Sequence, residues 1–133
     1  MSDAAAGGDA QPIVVAADDD VDTLNIFKIM LEAHGVRVVT VRDGNEALAA
    51  VRQHKPALAI LDVMMPRLNG FQVARMIKFD KQLKKTPVIL LTARTQQTDR
   101  DAGIKMGADE YITKPFDPQQ LVKTILQRIK PEG

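Results

Sequence analysis

The run Ile13-Val14-Val15-Ala16-Ala17-Asp18-Asp19-Asp20 decides the fold. Five apolar residues follow one another without the alternation of a strand that faces water on one side. A strand of this kind is buried on both faces, the habit of parallel sheets covered by helices. It then stops abruptly on three carboxylates. Runs of the same character recur at 36–41, 57–61 and 87–92, with a weaker one at 110–113. Helical patterns lie between them. Leu24, Phe27, Met30 and Leu31 repeat at helical spacing and stop at His34-Gly35. Ala47, Leu48 and Val51 mark a second helix, and Phe71, Val73, Ala74 and Ile77 a third. The pattern at 98–106, ending at Gly107, is the fourth and least apolar. Leu121, Val122, Ile125, Leu126 and Ile129 form the fifth, with Asp117 as its cap and Pro118 in its first turn. Five strand–helix units predict an α/β fold: a doubly wound, five-stranded parallel sheet with helices on both faces. Right-handed crossovers then leave few strand orders.

Composition narrows the function. The 133 residues make one domain, 45% hydrophobic and 26% charged, as in an ordinary globular protein. Lys plus Arg number 18 against 17 Asp plus Glu, a net charge of +1 that lacks the basic excess of a nucleic-acid binder. With no cysteine, disulfides, thiolate metal sites and thiol nucleophiles are excluded. Residues 1–11, MSDAAAGGDAQ, lack the basic and apolar regions of a secretory signal and are expected to be a flexible tail before a domain at 12–131. No apolar run approaches the ~18 residues needed to span a bilayer, so a cytoplasmic protein without membrane contact is expected.

In open parallel sheets, ligands bind beyond the carboxyl ends of the strands. The first strand ends in Asp18-Asp19-Asp20, the third in Asp62, the fourth in Thr92-Ala93 and the fifth in Lys114-Pro115. The second ends in Val41-Arg42-Asp43-Gly44, which reads as a plain turn. One of the three acids, Asp20, suits a helix cap. Asp18, Asp19 and Asp62 would meet if the first and third strands are neighbours. Crowded carboxylates repel unless a cation answers them. An all-oxygen set without His or Cys favours Mg²⁺, with Mn²⁺ as the alternative, and Mg²⁺ leaves room for a substrate phosphate. Beside such an ion, Asp62 could attack phosphorus. The Thr92 hydroxyl, the Ala93 N–H and the Lys114 ammonium all suit phosphoryl oxygens. Pro115 permits a cis peptide after the lysine.

Four motifs, ADDD at 17–20, LDVMMPRLNG at 61–70, LTAR at 91–94 and GADEYITKPF at 107–116, make the chain resemble the receiver domain of two-component response regulators. Asp62 lies 43 residues after Asp19, Thr92 another 30 on, and Lys114 another 22. The resemblance implies a flavodoxin-like sheet of order 2-1-3-4-5. It implies that Asp62 is the phospho-acceptor, and that Asp19, Asp62 and the Met64 backbone carbonyl hold Mg²⁺, with Asp18 acting through water. Thr92, Ala93 and Lys114 would bind the phosphoryl oxygens, and Thr92 with Tyr111 would be the switch. The implied donor is a sensor histidine kinase or a phosphotransfer protein, and the output is a conformational change read by another protein. The domain would not be an enzyme beyond its own phosphotransfer and dephosphorylation.

The chain ends soon after the fifth helix, which leads to the expectation of a stand-alone, chemotaxis-regulator-like receiver. The alternative is the receiver part of a DNA-binding transcriptional regulator. Residues 107–116 and Asp99-Arg100 resemble the dimer-forming face of the winged-helix class, with Lys123 where that class usually has Arg. A homodimer through the fourth helix, fifth strand and fifth helix follows from that likeness. A Mg²⁺-dependent phosphatase would need a second acid two residues after the nucleophile, where this chain has Met64. A flavin carrier would need a phosphate-cradling loop where this chain has three aspartates. Finally, Arg75, Lys78, Lys81, Lys84 and Lys85 form a basic stretch, expected as a solvated face or as a docking patch for an acidic partner.

Overall fold

The computed structural model describes residues 11–93 and 108–129. The elements are β1 (Ile13–Ala17), α1 (Val21–Glu32), β2 (Arg37–Val41), α2 (Gly44–His54), β3 (Leu58–Asp62), α3 (Gly70–Lys78), β4 (Val88–Ala93), β5 (Glu110–Lys114) and α4 (Pro118–Ile129). The tail apart from Gln11, the helical pattern at 98–106, Gly107 and Asp99-Arg100 lie outside the described residues. Helix α4 is therefore the fifth helical pattern of the sequence.

All five strands are parallel and stand in the order β2-β1-β3-β4-β5, the arrangement expected from the family resemblance. Ala17 pairs with Val41 on one side and Leu61 on the other. The continuous apolar runs have a simple reason. Along β1, β3 and β4, successive side chains enter two different cores. Val15, Ala17, Ala59, Leu61, Val88 and Leu90 pack with α2 and α3. Val14, Ala16, Leu58, Ile60, Ile89 and Leu91 pack with α1 and α4. Neither face meets water, so neither tolerates a polar alternation.

Strand limits move by a residue from the runs in the sequence. Val36 donates its N–H to Leu31 O at 3.1 Å and so belongs to the turn that closes α1, where Gly35 adopts φ +81°. Pro87 has no N–H for the ladder, although its carbonyl accepts from Ala59 at 2.9 Å. Asp62 and Ala93 close their strands as expected, and Lys114 is the last residue of β5 rather than the first after it. Asp20 caps α1 by accepting from the Asp22 N–H at 3.1 Å, and Asp117 accepts from the Gln119 N–H at 3.0 Å at the start of α4.

The amino edge of the sheet is held by a charged network. Lys78, at the end of α3, donates to Thr86 O at 2.7 Å and to Asp109 Oδ2 at 2.8 Å. The same Asp109 oxygen accepts from the Val88 N–H at 2.8 Å. Arg128 of α4 donates to Asp109 O at 3.2 Å and to Glu110 Oε1 at 2.8 Å. Lys78 is thus a strut joining α3, β4 and β5, with only 15% of its side chain exposed. Its place in the sequence among solvated lysines is misleading. Burial alone would raise the Asp109 pKa, but the Lys78 and Val88 hydrogen bonds and the charges of Lys78 and Arg128 hold it below its ordinary value. A depressed carboxylate stabilises the fold above its unfolded pKa and loses that contribution as the pH falls through its folded pKa. Asp109→Ala is therefore expected to cost about 1–3 kcal/mol at pH 7, read by chemical denaturation, with a smaller penalty near pH 3.

Candidate functional site

Asp18 and Asp62 are both buried at the carboxyl edge of the sheet, with Asp18 fully hidden and Asp62 4% exposed. Adjacency of β1 and β3 brings them together, as the sequence argument required. Asp18 is fixed from three sides. Its N–H donates to Val41 O at 3.2 Å, its Oδ1 accepts from the Asp20 N–H at 2.9 Å, and its Oδ2 accepts from Lys114 Nζ at 2.8 Å. Lys114 also stands 3.4 Å from Asp62 Oδ1. Asp19 is exposed at the rim, and carboxylate oxygens of Asp18, Asp19 and Asp62 lie within 4.8 Å of one another. Three acids facing one lysine leave negative charge uncompensated. An all-oxygen donor set this tight matches a hard divalent cation.

Lys114 reaches this cluster from β5, across β4. The Lys114–Pro115 peptide is cis, and Phe116 stacks on Phe27 of α1 with ring centroids 5.7 Å apart. That stack ties the segment after Lys114 to the helix that starts beside the acids. Register places Ala93 opposite Lys114 and Leu91 opposite Asp62, so the β4 terminus lies between them. Thr92 is fully buried there and Ala93 is exposed. Tyr111 sits lower on β5, opposite Leu90, half-buried against the α2–α3 core. The Met64 side chain points outward, 60% exposed, while its backbone hydrogen-bonds Asp62. Asp19 and Met64 line an open cleft of about 500 Å³. Ala93 and Lys114 line another of about 390 Å³ on the far side.

The loop from β3 to α3 is shaped by close approach. A Cβ on Gly70 would lie 2.5 Å from Asp62 O and 2.9 Å from Val63 Cα, so only glycine lets α3 start beside the end of β3. A Cβ on Gly44 would strike the Leu68 carbonyl, and the Gly44 N–H donates to Pro66 O at 3.3 Å. The loop therefore rests on the start of α2. Here the sequence reading missed several groups. Asp43 caps α2 by accepting from Glu46 N–H at 2.8 Å, while Glu46 accepts from the Arg42 N–H at 3.0 Å. Arg67, at φ +72°, approaches Asp43 within 3.4 Å, and Arg42 donates to Asp19 O at 3.3 Å. The supposed plain turn is a clamp on both acid-bearing loops. Its legible signal was the spacing Asp43-x-x-Glu46, a capping pattern.

Electrostatics follow from the geometry. Burial and the adjacent Asp18 charge push the Asp62 pKa from 3.8 to about 6, against the pull of Lys114 and the Met64 backbone. Burial would lower Lys114, but its hydrogen bond to Asp18 and the charges of Asp62 and Asp18 raise it above 10.5. A raised carboxylate pKa means that the fold binds this proton more tightly than the unfolded chain does. Ionised Asp62 is then a cost above pH 6, and the cost disappears as the pH falls toward 3.8. The span from 3.8 to about 6 sets a ceiling of about 3 kcal/mol. In EDTA, Asp62→Asn is expected to raise the melting temperature at pH 7.5 and to lose that advantage progressively toward pH 4.

Comparison with known proteins agrees with this geometry. Residues 14–126 match the family described as the response regulator receiver domain. The chain is 38% identical over 112 residues to protein PilH of Pseudomonas aeruginosa, covering 84% of this chain and 93% of PilH. It is 37% identical over 117 residues to the DNA-binding response regulator MtrA of Mycobacterium tuberculosis, covering 88% of this chain and 50% of MtrA. The chain thus spans about half the length of MtrA and similar regulators. Among solved structures, the chemotaxis response regulator CheY4 of Vibrio cholerae superposes with a TM-score of 0.81 at 34% identity, covering 90% of this chain and 99% of CheY4. A putative response regulator from Chloroflexus aurantiacus reaches 0.84 at 27% identity, covering 92% of this chain and all of that one. Sheet order, the acid cluster and these matches agree: the chain belongs to the response regulator receiver domain family.

Proposed function

We propose that Asp62 accepts a phosphoryl group from a phosphohistidine on a sensor kinase or phosphotransfer protein. The observation that carries this reading is the buried Asp62 carboxylate, set within one cluster with Asp18, Asp19 and Lys114. With its pKa near 6, Asp62 is mostly ionised at neutral pH and able to attack. Its oxygen forms a bond to phosphorus in line as the bond to the histidine nitrogen breaks, and that nitrogen keeps the electron pair. Phosphoryl transfer asks mainly for positioning and charge stabilisation. Lys114 supplies a positive charge to the phosphoryl oxygens, and Thr92 and the Ala93 N–H supply donors at the end of β4.

Mg²⁺ (or Mn²⁺), held by Asp19, Asp62 and the Met64 carbonyl with Asp18 acting through water, would offset the charge of the transferring group. The all-oxygen donor set of the cluster fits that ion. Lys114 currently engages Asp18 and Asp62, so its turn toward a phosphoryl group would release both acids. The added charge of an acyl phosphate would bias Thr92 and Tyr111, and a protein partner would read the result. We place this domain at 12–131, and the protein in the cytoplasm. Among the described residues no helix is long and apolar enough to cross a membrane.

The near-complete coverage of PilH favours a stand-alone switch. The likeness to half of MtrA favours a second reading, the receiver part of a DNA-binding regulator that dimerises through β5 and α4. The length of the encoding gene separates the two.

Incubation with acetyl phosphate and Mg²⁺ is expected to add one phosphoryl group to the intact mass. Asp62→Asn should gain none, and equal labelling of that variant would sink the assignment. Lys114→Ala is expected to label about a hundredfold more slowly. Mg²⁺ alone should raise the melting temperature of the wild type, and Asp19→Asn should lose most of that rise.

A further inference from the structure

The far end of α3 carries a surface that the phosphoryl site does not use. Met76, in the last turn of α3, is 42% exposed, and Phe79, just after it, is 76% exposed, while the other face of the helix is buried. Phe79 is not a loose side chain. Its N–H donates to Arg75 O at 3.0 Å, and the Arg75 guanidinium lies 5.6 Å from its ring centroid. The core beneath is filled by Ile77 and Leu83. Lys81, Lys84 and Lys85, in the segment that follows Phe79, are exposed. Lys78, which the sequence would count with them, is spent on Asp109 and Thr86. Asp80, an acid within this segment, accepts from the Gln82 N–H at 2.8 Å and is half-buried.

We propose that Arg75, Met76, Phe79, Lys81, Lys84 and Lys85 form a docking surface for an acidic polypeptide segment that seats an apolar side chain against Phe79. Within 75–85, four exposed cations against one engaged acid ask for a partner rich in Asp and Glu. A fixed aromatic ring with an arginine over it is the type of group that anchors protein interfaces. A lipid surface fits less well, since interfacial anchors rely on a broad apolar helix face. Nucleic acid fits less well still, because its affinity rests on many phosphate contacts and this chain has a net charge of only +1. The surface lies at the amino edge of the sheet, opposite Asp62, because α3 starts beside Asp62 and ends beside Thr86.

The test places a photocrosslinking p-benzoylphenylalanine at Phe79 in the full chain, in its native cell, with the same label at exposed Arg52 as control. The expected result is an adduct, identified by mass spectrometry, to a protein segment with excess Asp and Glu. Lys84→Glu with Lys85→Glu should cut its yield about tenfold, and acid-to-lysine reversal in the partner segment should restore it. Three results would overturn the proposal: no adduct beyond the Arg52 control, an adduct indifferent to the charge reversal, or a segment without acidic excess. Sedimentation with phosphatidylglycerol vesicles that depends on Lys84 and Lys85, without a protein adduct, would assign the surface to lipid instead. Labelling by acetyl phosphate should be unchanged in the double variant, which keeps this outcome separate from the identity of the phospho-acceptor.

Discussion

Two carboxylates buried side by side at one edge of a parallel sheet repel each other with little water to screen them. Asp18 and Asp62 are in that position, and the rest of the structure is arranged around the repulsion. Strand order makes it unavoidable, because β1 and β3 are neighbours, Asp18 follows the one and Asp62 closes the other. Lys114 answers it by reaching over β4 from the edge strand to touch both. Lys114 does not offset the cost: burial first, and the Asp18 charge second, keep the pKa of Asp62 raised. A site held in that unbalanced state is preorganised for additional positive charge. Binding such charge relieves a cost already present in the fold, in place of one created at the moment of reaction.

The loops keep this arrangement from relaxing. If the segment after Asp62 could move, the acid would turn toward water and the repulsion would dissipate. Gly70 lets α3 press against the Asp62 backbone, and Gly44 lets the same loop rest on α2. Arg67 and Asp43 add an ionic tie between these two crossovers, and Arg42 extends it to the Asp19 carbonyl. The acid-bearing loops are thereby linked to each other through the β2–α2 turn, which contributes no carboxylate to the cluster. A change in any one of these contacts would be felt at the others.

Much of this was legible in the sequence, for reasons that can be named. The continuous apolar runs specify strands with two buried faces, and hence the parallel sheet. The acids at two strand ends, with Thr92 and Lys114 at two more, specify where the chemistry gathers. What stayed hidden depends on three-dimensional closeness without a periodic signature. Gly44 reads as a turn residue until the Leu68 carbonyl is found against it. Arg42 and Arg67 read as solvated charges until they meet Asp19 and Asp43. Lys78 is the clearest case: by spacing it is one lysine of a basic stretch, but its ammonium is folded back onto Asp109 and two backbone carbonyls. Strand limits drifted for a related reason, since Val36 looks like strand and its N–H is committed to the end of α1.

Removing Lys78 from the count also changes how the molecule presents itself at a distance. Among the described residues, opposite charges stand near the two ends of α3. Asp18, Asp19 and Asp62 gather where the helix begins, and exposed Arg75, Lys81, Lys84 and Lys85 stand in or after its last turn. Among the described residues, the two ends of α3 therefore lie beside surface charge of opposite sign. In the field of a charged partner such a body experiences a torque before any contact is made. Encounters begin with one end already turned inward, and the fraction that does so falls as salt shortens the range of the field.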